Sequence, residues 1–138
     1  MAGTRQAITG KSGKPDTDLL SVACAIGGWL VPGLGHALLK MWGRAVVCFL
    51  VVAVLMLGGV ALRGNIFTST GQDAFGALGY AADLGAGSFY FVARSLETKG
   101  PDVSEAAGDY GTRFLAAAGI LNLLCVLHAY EVARGRKV

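Results

Sequence analysis

The chain has 138 residues, of which 54% are hydrophobic and 15% charged, and its mean hydropathy is +0.55. Soluble domains carry about a quarter charged residues, so this composition excludes an ordinary soluble globule and leaves no room for a separate catalytic domain. The net charge is +3, but the basic residues are scattered over tails and connections without interleaved aromatics, which excludes a nucleic-acid partner.

Residues 1–18 form a polar, basic tail with Arg5, Lys11 and Lys14, and Asp16-Thr17-Asp18 are placed to cap a following helix. The first apolar segment covers residues 19–39 and is interrupted at Pro32. The second, residues 45–62, holds neither charge nor proline and is bracketed by Arg44 and Arg63. With those arginines reaching back to the interface it matches the about 20 residues that a helix needs to cross hydrocarbon. A short polar connection leads to residues 74–93, a Gly- and Ala-rich segment with Asp83 in its middle. There Ala77, Ala81 and Gly85 recur every fourth residue, the spacing of small side chains that lets membrane helices approach closely. Residues 94–113 read as a hydrophilic loop holding Glu97, Asp102, Glu105 and Asp109. The fourth segment, residues 114–132, carries a small-residue run from Ala116 to Gly119, then Asn122 and His128, before a basic tail at 133–138. No internal repeat is visible. The expected architecture is an all-α integral membrane protein of four transmembrane helices, the first broken at Pro32, forming one membrane domain over residues 19–132.

The break has a physical cause. Residues 19–31 would make a helix of roughly 20 Å, short of the about 30 Å of a bilayer core. Pro32 removes a backbone donor and crowds the preceding turn, while Gly33 and Gly35 admit whatever angles a bend requires. His36, Lys40, Trp42 and Arg44 follow, and Trp with long basic side chains favours the headgroup zone. The run Gly27-Gly28-Trp29-Leu30-Val31-Pro32-Gly33-Leu34-Gly35-His36 and the apolar segment after it resemble a group of small uncharacterised bacterial membrane proteins. That group shares a W-x-x-P-G-x-G-H hairpin and is similar to the two-transmembrane-helix domain family. The resemblance covers residues 27–62; Ala37-Leu38 stand where its pattern carries aromatics. It implies a hairpin and no activity.

Orientation follows from Lys and Arg. With four spans, the side holding both termini carries seven basic residues and the other side five, so the positive-inside rule places both termini in the cytoplasm of a bacterial inner membrane. If the first segment instead dips in and returns, the counts become eight and four and the C-terminal tail lies outside.

His36 and His128 are the only histidines. A ring nitrogen inside a membrane is a candidate ligand for haem iron or for the magnesium of a chlorophyll-type pigment. The plainer reading is a ring bonded to a freed carbonyl for His36, and to Glu131 for His128. Four spans set the two histidines near opposite interfaces, which argues against a shared metal site. Asp83, costing about 2.5–3.5 kcal/mol at a bilayer centre, is placed at the depth of Asn122. The pair is expected to share a hydrogen bond that sets helix register; a proton-coupled transporter would use the same carboxyl. Cys24, Cys48 and Cys125 lack any C-x-x-C spacing and read as buried thiols. Five apolar residues ahead of Cys24 are too few for a lipoprotein signal. No nucleophile-elbow, zincin, Walker A or Rossmann pattern appears, and the acidic loop lacks Ca²⁺-loop spacing. The expected function is non-enzymatic: an accessory subunit packing in the lipid bilayer against other integral membrane subunits. The alternatives are a pigment- or haem-binding subunit of a photosynthetic or other energy-converting complex, using His36 or His128, and a small transporter using Asp83.

Overall fold

The computed structural model describes residues 15–67, 73–102 and 104–135, so of the basic tails expected over 1–18 and 133–138 the parts 1–14 and 136–138 lie outside them. The described chain is all-helical, with α1 Pro15–Leu30, α2 Leu34–Leu38, α3 Trp42–Ala61, α4 Ala74–Leu84, α5 Ser88–Leu96 and α6 Ala106–Ala133. Two helices, α3 and α6, are long and apolar enough to cross a membrane, rather than the four expected.

The spine is the antiparallel pair α3 and α6. At one end Arg44 meets His128 and Cys48 meets Cys125. At the other, Gly59 lies against Leu115 and Gly64 against Gly111. We call these the His128 end and the Gly111 end. A Cβ on Gly59, Gly64 or Gly111 would collide with the facing backbone, so the glycines set how closely the helices approach. Val52 and Met56 of α3 and Leu115 and Ala118 of α6 belong to the buried core between them.

Neither of the other apolar segments is a continuous span. The first enters beside α6 from the His128 end, with Asp18 near Arg134 and Gly28 against Val126. Asp16 and Asp18 sit in the first turn of α1, where they complement the helix dipole. α1 stops at Leu30 because Pro32 lacks an N–H and disfavours helical angles at Val31. Gly33 takes φ +86°, and a Cβ there would strike the Ala45 carbonyl. The single turn of α2 then returns, laying Gly35 on Cys24 and Ala129. Lys40, at φ +60°, ends the hairpin before α3 begins. The chain therefore turns back between Leu30 and Trp42.

The second hairpin was expected as one helix over residues 74–93. Instead the chain breaks at Gly85-Ala86-Gly87, where Gly87 adopts φ 64°, ψ −126°, angles open to glycine alone. α4, capped by the Asp73 carboxylate on the Gly76 N–H, advances from the Gly111 end until Gly85 reaches Leu123. α5 returns beside α3, from Phe89 against Phe49 to residues 96–100 beside Val60 and Arg63. At about 16 Å and 14 Å neither is long enough to cross a bilayer core. Each half of the chain is thus a broken hairpin followed by a full helix, and the two halves run in opposite directions. This inverted repeat of structure exists although the sequence shows no repeat.

A further boundary differs from expectation. α6 starts at Ala106, so the back half of the expected loop is helical; no proline lies between Ala106 and Phe114, and Asp109 pairs with Arg113 at 2.7 Å one turn on. The remaining loop is tied to the end of α3 by Arg63, which donates to Asp102 at 3.1 Å and to the Lys99 and Gly100 carbonyls. The Ser104 hydroxyl, first, and the Arg63 guanidinium hold the Asp102 carboxyl below its usual range. Of the expected small-residue row, Gly85 packs on α6, Ala77 is half-buried and Ala81 is exposed. The close approach is made instead by Gly119, whose Cα faces the Ala82 carbonyl.

Gly119→Val should displace the α4–α5 hairpin and cost about 1–3 kcal/mol, the range for overpacking. Gly43→Ala, whose Cβ meets nothing, should leave stability unchanged or slightly raised. Unfolding of the two variants in mixed micelles compares them; equal stabilities would contradict the close approach.

Candidate functional site

The two hairpin tips meet near the middle of the α3–α6 pair. A helix end withdrawn from water leaves carbonyls that need donors, and here each tip supplies donors to the other. Trp29 Nε1 donates to the Leu84 carbonyl at 3.1 Å, and Ser88 Oγ donates to the Leu30 carbonyl. Asn122, fully buried, donates from its amide nitrogen to the Gly85 carbonyl at 2.9 Å and the Trp29 carbonyl at 3.3 Å. One α6 side chain therefore holds both tips.

Asp83 does not join this latch. Its Oδ2 accepts the Phe67 N–H at 2.9 Å, while its Oδ1 and the Oδ1 of Asn122 are buried without partners among the described residues. The expected Asp83–Asn122 hydrogen bond is absent because α4 presents Ala82, not Asp83, to α6. Asp83 is turned toward the extended stretch 64–67, which Tyr90 also holds by donating to the Phe67 carbonyl.

At the His128 end the structure brings together residues that the four-span expectation placed on opposite sides. Because the first segment doubles back, His36 returns to the level of His128, and the rings lie side by side with Nε2 of His36 2.9 Å from Nδ1 of His128. Arg44 Nη1 lies 3.4 Å from His128 Nε2, and His36 Nδ1 lies 4.0 Å from Cys48 Sγ. The Cys48 and Cys125 sulfurs, both free thiols, are 2.7 Å apart.

The direction of this line of contacts follows from its first member. A guanidinium only donates. His128 Nε2 must therefore accept, its Nδ1–H donates to His36 Nε2, and His36 Nδ1–H points at Cys48. The chain runs from the Arg44 cation to a sulfur. A cavity of about 460 Å³ opens beside it, lined by Arg44, Val47, Cys48, Leu121, Leu124, Cys125 and both histidines. Because His36 turns one nitrogen to His128 and the other to Cys48, the nitrogen and sulfur pairs flank opposite edges of one ring. Among the described residues no three His, Cys, Asp or Glu side chains form a group able to hold a metal ion.

Arg44, Cys48 and Cys125 were not singled out as a site by sequence. The usable signal was spacing: Cys48 follows Arg44 by four residues and Cys125 precedes His128 by three, so each pair shares a helix face. Trp29 and Ser88, which bind the opposite tip, carried no such signal.

The architecture defines a small all-helical protein in which two opposed helical hairpins pack on a pair of membrane-length helices. The chain belongs to DUF6677, a family of unknown function whose model matches residues 22–138. This agrees with membership of an uncharacterised family and extends well beyond the hairpin that suggested it. No curated protein and no solved structure matches the chain.

Asn122→Leu keeps the side chain's approximate volume and removes both donors. Bilayer hydrogen bonds average about 0.6 kcal/mol with a maximum near 1.7, so two should cost about 1–2 kcal/mol. Equilibrium unfolding of the variant against wild type in micelles measures this, and an unchanged midpoint would remove the latch.

Proposed function

We propose that the protein is an integral subunit of a bacterial inner membrane and acts without catalysis by packing against other membrane subunits. The observation behind this reading is that α3 and α6 are apolar yet little covered by their own chain. Only 22% and 28% of their most apolar windows is buried. A helix that is apolar around its surface belongs in a large core or in a membrane, and the described residues form no core that covers these two. Val54 and Leu57 on α3 and Leu124 and Leu127 on α6 are all more than half exposed and need lipid or a partner helix to cover them.

In this reading α3 and α6 cross the bilayer and each hairpin dips in and returns on its own side. The His128 end then holds both tails with Lys40, Arg44 and Arg134, eight basic residues in all, against four at the Gly111 end. The bias favours cytoplasmic termini more strongly than four spans would.

Lys40 discriminates the topologies. In a Cys24→Ser, Cys48→Ser, Cys125→Ser background, single cysteines at Lys40 and Arg134 should react with membrane-impermeant maleimide from the same face. Four spans would put Lys40 opposite Arg134. Native electrophoresis of mild-detergent extracts should place the protein in an assembly larger than a monomer, and a solely monomeric species would overturn the subunit reading.

A transporter reading has one observation in its favour. Paired broken helices in inverted halves are the arrangement in which many transporters bind substrate near the midplane, and Asp83 lies at a hairpin tip with one oxygen unpartnered among the described residues. Asp83→Asn should be tolerated by a packing subunit, with assembly and stability near wild type. In a proton-coupled transporter it would abolish coupled uptake into proteoliposomes. Tetrapyrrole ligation has less support, because His36 and His128 spend their facing nitrogens on each other.

A further inference from the structure

We propose that Cys48 and Cys125 form a redox-active dithiol that reduces a lipid-soluble quinone held in the cavity at the His128 end. This goes beyond the packing role and rests on the reading that α3 and α6 cross the bilayer.

Four observations converge. The two sulfurs, on different spanning helices and 77 residues apart in sequence, are in contact as free thiols. A disulfide there would link α3 to α6. The donor line Arg44, His128, His36 ends on Cys48 rather than Cys125. The His36 ring nitrogen faces Cys48 and not Cys125, so the line positions Cys48 as the attacking sulfur and leaves Cys125 to resolve. The cavity of about 460 Å³ reaches both sulfurs. Its remaining walls are Gly43, Val47, Leu121 and Leu124, with Val47 60% and Leu124 55% exposed on the apolar flank of the helices, so with α3 and α6 crossing the bilayer its mouth faces lipid rather than water. Arg44, at the cavity wall, has donors beyond the one spent on His128, enough to bind an oxygen of a ring that enters from the bilayer. A flat, apolar two-electron acceptor with ring oxygens fits that combination, and a quinone is the class that has it.

The step balances. The Cys48 sulfur adds to the quinone ring. The Cys125 sulfur then attacks Cys48, forming the Cys48–Cys125 bond and breaking the carbon–sulfur bond, whose electron pair remains on the ring. The two thiol protons end on the two ring oxygens. Quinone becomes hydroquinone and the dithiol becomes a disulfide, with two electrons and two protons transferred. His36, His128 and Arg44 are positioning residues; the reacting atoms are the two sulfurs.

The test uses the full chain in lipid nanodiscs, as the Cys24→Ser variant, so that the only thiols are the proposed pair. The protein is reduced, freed of reductant and mixed anaerobically with a short-chain ubiquinone. Free thiols are then counted by the gel shift of maleimide-polyethylene glycol after denaturation, and quinone is followed by its ultraviolet absorbance. The expected result is two thiols lost per quinone reduced, with no quinone reduced by Cys48→Ala or Cys125→Ala. Thiols that persist with quinone overturn the proposal, including the case where diamide oxidises them. The donor line has its own readout. In the Cys125→Ala protein, alkylation of Cys48 by iodoacetamide should shift to higher pH when Arg44→Gln or His36→Leu is added, and fall roughly tenfold at neutral pH. A pH profile unmoved by either substitution overturns the role given to the line. The parent readout stands on its own should any variant fail to fold.

Discussion

Everything in this fold answers to one constraint: a helix that stops inside an apolar region must find donors for its last carbonyls within the protein. Two helices stop there, α1 at Leu30 and α4 at Leu84, and their ends are satisfied by each other and by α6. Trp29 serves Leu84, Ser88 serves Leu30, and Asn122 serves Trp29 and Gly85. The arrangement is reciprocal, so neither tip is satisfied without the other. That ties the two halves of the chain together at one depth and makes Asn122, rather than Asp83, the polar residue on which helix register turns.

Close approach is the second requirement, because a hydrogen bond between tips needs backbones within reach. Glycine supplies it at three levels of the spine. Gly59, Gly64 and Gly111 bring α3 and α6 together at one end, Gly119 admits the Ala82 carbonyl in the middle, and Gly35 lets α2 rest on α1 and Ala129 near the other end. Between apolar helices in lipid there is little hydrophobic drive to associate, so van der Waals fit at such seams carries much of the packing. The large aliphatic side chains are left on the outside, as the exposure of Val54, Leu57, Leu124 and Leu127 shows.

The two ends of the spine are alike in topology and unlike in chemistry. At the Gly111 end, Arg63 ties an exposed loop through Asp102 and two carbonyls, an ordinary structural role. At the His128 end, Arg44 begins a directed line through two imidazoles to a pair of sulfurs beside an open cavity. A repeat of structure with chemistry on one end only indicates that the hairpins frame the molecule while the His128 end differentiates it.

Much of this was determined by sequence alone, wherever the physics is local. An uncharged apolar stretch between Arg44 and Arg63 has to be a membrane-length helix, and Pro32 has to end one, since it lacks the donor that the next turn requires. The all-helical class and the first bend followed from those residues. The second break did not, because Gly85-Ala86-Gly87 is equally at home as the tight face of an unbroken helix. What makes it a break is the Trp29–Leu30 tip docking against Gly87, a contact across 58 residues. The imidazole and thiol line was hidden for the same reason. Whether His36 lies beside His128 depends on how deep the first segment runs before turning, and that depth is set by tertiary contacts with the opposite hairpin rather than by any local preference of the chain.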